Sequence, residues 1–228
     1  KFNEGGLGIQ IYAVRIGDKY GPEYEEYVES KLGKVNWIRE PFDSRVELQW
    51  NKLKPMTLKI DEPVVVVDID IIWTGNYMDI INYPIERGEF LSLKYWWKEI
   101  RKEGYSLQGG FQKYYPKDAR YIHEKFMFDP WYWQQHYIRN GTTIGPVNGE
   151  QYFIEDVAKE RLKLKFIPEE WHTRWIDFAS QEWIDSGNKM YPGEWLYKDD
   201  KFNPEIRLIH FSNFQDPRSM LLKAQVWT

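Results

Sequence analysis

The sequence predicts a three-layer α/β fold with a central mixed, mostly parallel sheet. One observation behind this prediction is the order of predicted elements, β-α-β-α-β, up to residue 67. The other is Val64–Val67, a run of four β-branched residues without polar alternation. Such a run is typical of a strand buried on both faces, so we expect it at the centre of the sheet.

The first half of the chain is regular, and local signals support each element. Pro22 suits the first turn of a helix, and Gly33 can end it. Asp43 or Ser44 can cap a second helix. The predicted elements are strands over residues 8–16, 35–38 and 64–67, and helices over residues 23–32 and from Asp43 or Ser44 to about residue 56.

The second half is less regular. Helices are predicted over residues 76–81, 95–101, 118–128, 131–138, 150–162 and 216–222, and strands over residues 89–93, 164–167 and 206–211. Gly109 and Gly110 mark a place where the backbone passes close to another group. Neither a repeat nor a low-complexity linker divides the chain, which predicts one domain over residues 1–228.

Composition excludes several classes of protein. The net charge of -4 does not indicate a nucleic-acid partner. The absence of cysteine excludes disulfide frameworks and zinc-thiolate sites. No apolar stretch reaches the roughly 18 residues of a membrane span. The sequence begins at Lys1 without a visible signal peptide, and we expect it to be a fragment. The 12 tryptophans are mostly expected in the core, although some rings can stack on sugars.

Two carboxylates follow the valine run directly. Ligands bind at the carboxyl ends of strands in open α/β sheets, and Asp68 and Asp70 face the same way if the strand continues through them. Together they can hold a divalent cation that binds a phosphate. The alternative is a cap or turn at the strand end. His210, after a late apolar strand, is either a hydrogen-bonded structural residue or a third ligand in a mixed set that suits Mn²⁺.

Two further residues have both a structural and a functional interpretation. Lys52 can pair with a phosphate or a donor hydroxyl, or it can be a solvated helix lysine. Glu150 can cap the helix that starts there, or it can line a sugar site.

Several segments, in order, resemble nucleotide-sugar glycosyltransferases of the GT-A, Rossmann-like fold. They are IYAVRIG, WNKLKPM, VVVVDIDIIW, LQGGFQKYYP, GPVNGEQYF and RLIHFSN. The separation of Lys52-Leu53 from Asp68-Ile69-Asp70 is similar to that in glycogenin-like transferases. The nearest resemblance is to the GT-A domain of a chlorella-virus-type capsid glycosyltransferase.

The resemblance implies a metal-dependent transferase that moves a sugar from a UDP-sugar, of the glucose or rhamnose type, to a glycan acceptor such as that of a viral capsid glycoprotein. Residues 1–75 would form the nucleotide-binding half and residues 76–228 the acceptor half. The implied compartment is the cytoplasm, that of the host for a viral protein. We also expect some of Trp96, Trp97, Trp131 and Trp171 to line the acceptor cleft.

The resemblance also implies roles for individual residues. Those of the donor site are Ala13, Val14, Arg15 and Tyr20 for uracil and ribose, Lys52 and Asp68 for the donor, and Gly109 and Gly110 for the donor sugar. The ligands of Mn²⁺, or Mg²⁺, would be Asp68, Asp70 and His210. Glu150 and Gln151 stand where glycogenin-like enzymes have an Asp-Gln pair facing the reacting centre.

The chain departs from the glycogenin-like pattern after His210. That family has a glycine and then Lys-Pro-Trp, which grips the diphosphate, whereas this chain continues Phe211-Ser212-Asn213. Retention of the anomeric configuration is therefore not implied. For an inverting reaction the first candidate base is Glu150 and the second is Asp156.

Two other functions fit the same residues. One is a carbohydrate- or nucleotide-binding module that has lost catalysis. The other is a nucleotidyltransferase dependent on Mg²⁺ or Mn²⁺, although the glycine-rich loop that this class usually has after its first strand is only weakly present at Ile16-Gly17-Asp18-Lys19-Tyr20-Gly21.

Overall fold

A computed structural model describes residues 9–17, 21–74, 76–94, 104–143, 149–175, 197–198, 201–202 and 205–211. Its strands are β1 (Ile11–Ile16), β2 (Val35–Glu40), β3 (Val64–Val67), β4 (Ile71–Trp73), β5 (Glu89–Lys94), β6 (Leu107–Tyr114), β7 (Lys163–Phe166), β8 (His172–Trp175), β9 (Tyr197–Lys198), β10 (Lys201–Phe202) and β11 (Leu208–Phe211). Its α-helices are α1 (Pro22–Leu32), α2 (Met78–Ile81), α3 (Pro116–Phe128), α4 (Pro130–Arg139) and α5 (Gly149–Ala158). Short 3-10 segments cover Leu48–Thr57 and Glu169–Trp171.

The chain opens with a β-α-β unit, as predicted. β1 and β2 are parallel neighbours joined through α1. Pro22 lies in the first turn of α1, where its missing N–H costs no hydrogen bond. Gly33 follows the helix with φ +83°, and its N–H donates to the carbonyl of Glu29.

The predicted helix from Asp43 or Ser44 to residue 56 is wrong in type and in start. The observed element is the 3-10 segment Leu48–Thr57. Asp43 instead forms a local turn, in which its carboxylate accepts the N–H of Arg45 at 3.0 Å. Trp50, Leu53 and Met56 are all buried, and this spacing of three residues matches the three residues per turn of a 3-10 helix.

The largest sheet is mixed, with strand order β3-β6-β5-β7. β6 is antiparallel to both β3 and β5, whereas β5 and β7 are parallel. The sheet is mixed, as expected. Among its described strands, however, two pairs are antiparallel and one is parallel, because β6 is antiparallel to both of its neighbours.

The valine strand was expected at the sheet centre and buried on both faces, and this detail is wrong. β3 has one hydrogen-bonded neighbour among the described strands, and its valines are half-buried except for the exposed Val67. The strand that is buried along its whole length is β6, which has partners on both sides.

A second sheet contains β4, β11 and β8, with β11 in the middle. β11 is antiparallel to β4 and parallel to β8. Because β3 and β4 belong to different sheets, the three residues between them connect the two sheets. β9 and β10 form a separate antiparallel pair.

Helices α3, α4 and α5 pack against one another and share a core with the 3-10 segment. Trp50 stacks on Phe126 with ring centroids 4.8 Å apart. α4 starts at a side-chain cap, because Asp129 accepts the N–H of Tyr132 at 2.9 Å. α5 ends at Ala158, earlier than predicted, and a turn follows.

Two predicted helices, over residues 95–101 and 216–222, lie outside the described residues. Among the residues that are described, no helix has the length and apolar character needed to cross a bilayer.

Candidate functional site

The two aspartates lie in the turn between β3 and β4. Both side chains were expected to face the same way if the strand continued through them, but the strand ends at Val67. The N–H of Asp68 donates to the carbonyl of Gly110 at 2.9 Å, and the carbonyl of Asp68 accepts the N–H of Ile71 at 3.3 Å. Ile69 is fully exposed at the tip. The carboxylates therefore converge through a turn that joins two sheets, and not through strand periodicity.

His210 reaches the aspartates because β11 lies beside β4. In the antiparallel register, His210 is opposite Ile71. Its Nε2 lies 3.3 Å from Asp70 Oδ1 and 3.8 Å from Asp68 Oδ2. Ligand atoms of Asp68, Asp70 and His210 all lie within 4.8 Å of one another. The structure therefore brings His210 next to Asp68 and Asp70, from which it is distant in the sequence.

Lys52 is part of the same cluster and is not a solvated helix lysine. Its side chain is only 21% exposed, and its Nζ lies 2.8 Å from both carboxylate oxygens of Asp68. Glu150 Oε1 is 3.6 Å from the same Nζ, and Glu150 is 2% exposed. Glu150 therefore lies buried beside the cluster, in the first turn of α5.

Gly109 and Gly110 lie where the pairing of β6 with β5 shifts register, between Gln108, which pairs with Leu93, and Gln112, which pairs with Ser92. Side chains surround this backbone closely. The N–H of Gly109 donates to Gln151 Oε1 at 2.8 Å, and the N–H of Gly110 donates to Gln108 Oε1 at 2.7 Å.

A Cβ at either glycine would require neighbouring side chains to shift. A Cβ at Gly110 would lie 2.9 Å from Gln108 Oε1 and 3.2 Å from His210 Cδ2, and one at Gly109 would lie 3.1 Å from Gln151 Cγ. The glycines thus allow a close approach, as predicted, and the groups that approach are Gln108, Gln151 and His210.

Opposing effects set the charges of the cluster. Burial raises the pKa of Asp68, but the nearby imidazole of His210 and the charge of Lys52 outweigh burial and hold this pKa below its usual value. Burial lowers the pKa of His210, but Asp68 and Asp70 outweigh it, so that the net shift is upward. Burial also lowers the pKa of Lys52, and the carboxylates of Glu150, Asp68 and Asp70 raise it above the usual value.

Asp156, the second candidate base, has other partners. Its Oδ2 accepts hydrogen bonds from the hydroxyls of Tyr105 and Tyr137, each at 2.8 Å. These contacts tie α5 to α4 and to the start of β6. No contact between Asp156 and Asp68, Asp70 or His210 is found in the described part of the chain.

The predicted nucleotide-binding residues lie on the first strand. Ala13, Val14 and Arg15 are half-buried on β1, and Arg15 donates to Glu25 Oε1 at 2.8 Å. Tyr20 lies outside the described residues.

The tryptophans expected at the acceptor cleft differ in setting. Trp131 is 62% exposed on α4, and Trp171 is half-buried against the ring of Tyr83 and the guanidinium of Arg207. Trp96 and Trp97 lie outside the described residues.

Sequence reasoning missed two residues that shape the glycine segment. Gln108 binds the N–H of Gly110, and the Ser92 hydroxyl donates to the carbonyls of Gln108 and Phe111, each at 2.9 Å. A glutamine directly before Gly109 and Gly110 was an available signal. The sequence contains no comparable signal for Ser92, because serine is common in strands and does not indicate a contact with the glycine segment.

Comparisons with known proteins agree on the fold. No protein-family model matches the sequence, and no curated protein sequence is significantly similar to it. Solved structures do match, and one is the glycosyltransferase GlyE of Streptococcus pneumoniae TIGR4. It has a TM-score of 0.59 and 14% identity, and the match covers 96% of this chain and 54% of that chain. The present chain thus spans about half the length of that protein.

Two further structures match over most of both chains. One is LgtC, solved as an active-site mutant in which a glutamine is replaced by glutamate, with a TM-score of 0.54, 11% identity, and 95% and 84% of the two chains covered. The other is mouse xyloside xylosyltransferase 1, with a TM-score of 0.52, 12% identity, and 90% and 85% covered. At such low identity the likeness establishes the fold, and the chain has the GT-A fold.

Proposed function

We propose that the protein is a metal-dependent glycosyltransferase that transfers a sugar from a UDP-sugar to a glycan acceptor. The observation that carries the proposal is the convergence of Asp68, Asp70 and His210 at the end of a strand in a GT-A fold. Ligands bind at this edge in open α/β sheets. Two of the matched structures are named as a glycosyltransferase and a xylosyltransferase, which supports the same class of reaction.

The residues present fit a divalent cation. Two carboxylates and one imidazole form a donor set that suits Mn²⁺, while Mg²⁺ prefers oxygen ligands. Three protein ligands leave coordination positions for diphosphate oxygens. When bound, the cation supplies Lewis-acid stabilisation of the leaving diphosphate.

The remaining chemistry belongs to residues of the chain. An acceptor oxygen forms a bond to the anomeric carbon, and the bond from this carbon to the diphosphate oxygen breaks. In an inverting reaction Glu150 takes the proton of the acceptor hydroxyl, since its carboxylate faces the cluster and that of Asp156 is held by two tyrosines. The carboxamide oxygen of Gln151 fixes Gly109, so that the backbone beside the donor sugar is held in place.

The finer parts of the proposal follow from the resemblance of the sequence. Ala13, Val14, Arg15 and Tyr20 would contact uracil and ribose, and the donor sugar would be of the glucose or rhamnose type. The acceptor would be a glycan such as that of a viral capsid glycoprotein, and the reaction would take place in the cytoplasm.

Titration calorimetry with a panel of UDP- and GDP-sugars, with and without Mn²⁺, tests the proposal. We expect one UDP-sugar to bind only when Mn²⁺ is present. Asp70→Asn should abolish this binding and the transfer activity. The matched control is Asp61→Asn, since the Asp61 side chain is exposed and paired only with Arg87 among the described contacts.

Other results would favour the other two functions. If no nucleotide binds, a module that binds carbohydrate without catalysis becomes the better interpretation. Turnover of a sugar phosphate with UTP, but not of any UDP-sugar, would identify a nucleotidyltransferase.

A further inference from the structure

The ammonium of Lys52 occupies the same oxygens that a metal would need. Lys52 Nζ lies 2.8 Å from Asp68 Oδ1 and 2.8 Å from Asp68 Oδ2, so it bridges the whole carboxylate. Asp68 is also one of the three residues whose ligand atoms converge. The lysine side chain is mostly buried, which means that water screens its charge only weakly.

A divalent cation bound to Asp68 would stand next to this ammonium. Two cations that share one carboxylate lie within a few ångströms of each other and repel strongly where the surroundings are partly desolvated. The Asp68–Lys52 pair and a metal bound through Asp68 are therefore competing arrangements of the same site.

A second anion lies within reach of the ammonium. Glu150 Oε1 is 3.6 Å from Lys52 Nζ, and Glu150 is almost fully buried. The lysine side chain has four carbons and rotatable donors, so a small change in its torsion angles carries the ammonium from Asp68 to Glu150. The charge of the lysine is then still compensated when Asp68 turns to another cation.

We propose that Lys52 is an internal cation that holds Asp68 when no metal is bound and shifts to Glu150 when a divalent cation enters. Lys52 thereby weakens metal binding to the unliganded protein. Metal is then retained mainly when the diphosphate of the donor adds its own oxygens and negative charge. This inference rests on the proposed metal-dependent function and assigns Lys52 a role at the metal site.

Calorimetric titration with Mn²⁺ alone, in the absence of nucleotide, tests the inference. Lys52→Met removes the charge and keeps most of the side-chain volume. Because the competing cation is lost, we expect Lys52→Met to bind Mn²⁺ about tenfold more tightly than the wild type. Lys52→Arg keeps the charge and should give no such gain.

Lys54→Met is the matched control. Lys54 lies on the same 3-10 segment, its side chain is also 21% exposed, and it is paired with a different carboxylate, Glu40, at 3.5 Å. The change in net charge is the same as in Lys52→Met, but we expect Mn²⁺ affinity to stay at the wild-type value. An equal gain in both variants would mean that only net charge matters, and it would overturn the proposal.

Thermal unfolding gives a second measurement, which can be interpreted even if the substitution lowers the stability of the protein. Mn²⁺ should raise the Tm of Lys52→Met by more than it raises that of the wild type, even if the variant starts from a lower Tm. Equal or weaker Mn²⁺ binding by Lys52→Met would refute the role of Lys52.

The double variant Lys52→Met/Asp70→Asn distinguishes two negative results: an error in the role of Lys52, and an error in the proposed metal-dependent function. We expect it to lose the Mn²⁺ binding gained in Lys52→Met. If Mn²⁺ binds none of the proteins, or binds independently of Asp70, the metal site itself is refuted and the lysine proposal falls with it.

Discussion

Glu150 and Asp156 lie on the same helix but have different partners, and this difference is the basis for the roles that we propose for them. Glu150 is buried beside Lys52, whereas Asp156 accepts hydrogen bonds from Tyr105 and Tyr137. At the level of sequence the two carboxylates were both candidate bases. The tyrosine contacts, which involve residues 51 and 19 positions away in the chain, favour the first.

Glu150→Gln should lower the transfer rate by about 10²- to 10⁴-fold, because the amide cannot accept the acceptor proton. Metal-dependent binding of the UDP-sugar should persist in calorimetry, with a lower affinity because Lys52 loses the carboxylate to which it shifts when metal binds. Asp156→Asn is the comparison, and it should reduce the free energy of unfolding by about 1–3 kcal/mol while the folded protein keeps its rate. A larger rate loss in Asp156→Asn than in Glu150→Gln would reverse the assignment.

His172 predicts how stability depends on pH. Burial lowers the pKa of this imidazole to about 4 in the folded protein, against 6.5 in an unfolded chain. Between these values the unfolded state binds more protons than the folded state, so the free energy of unfolding falls as the pH drops from about 6.5 to 4. The full effect is up to about 3 kcal/mol.

Chemical denaturation of His172→Gln at pH 7 and pH 4.5 measures this contribution. The variant should lose less stability than the wild type over this interval, since a glutamine does not titrate. His136→Gln, at a half-exposed position on α4, is the control for loss of a histidine. Identical pH dependence in His172→Gln and the wild type would contradict the prediction.

At the scale of elements, the 3-10 segment Leu48–Thr57 positions Lys52. Its buried residues Trp50, Leu53 and Met56 repeat every third position and anchor it against α3 and the core. Lys52 precedes a fully buried leucine and thus lies at the edge of the packed face, where its side chain can extend to Asp68.

Leu53→Ala should lower the free energy of unfolding by about 2–5 kcal/mol, because it leaves a cavity under the segment. Leu58→Ala removes the same atoms from a half-buried position just after the segment and should cost under about 1.5 kcal/mol. Urea denaturation of both variants provides the measurement. Similar costs for both would show that the segment is not anchored through Leu53.

At the scale of the whole molecule, the candidate metal site joins two sheets. Asp68 follows β3 of the larger sheet, and His210 belongs to β11 of the smaller one. A ligand that binds both residues therefore stabilises the contact between the sheets as well as the local turn.

Mn²⁺ together with UDP should raise the Tm, because a ligand that binds only the folded state adds about 2.7 kcal/mol at a concentration of 100 Kd. EDTA should remove this gain. Differential scanning calorimetry of the wild type and of Asp70→Asn makes the comparison, and the variant should show no gain. A gain from UDP that EDTA does not remove would show that nucleotide binding is independent of metal.

The sequence by itself determined the local features of this protein. The first β-α-β unit followed from apolar pattern, Pro22 and Gly33, and the close approach at Gly109 and Gly110 followed from their lack of side chains. These features depend on short-range sterics and hydrogen bonds, which a few adjacent residues specify. The same is true of the acidic pair as a candidate site, since its two members are one residue apart.

Only the tertiary structure decided what those features contact. The sequence predicted β3 as a central strand, whereas β3 pairs only with β6 among the described strands. A valine run does not indicate how many strands pair with it. It also left Lys52 and His210 ambiguous. Their contacts with Asp68 join positions 16 and 142 residues apart, and such contacts depend on strand order and on the packing of whole elements, which no local pattern encodes.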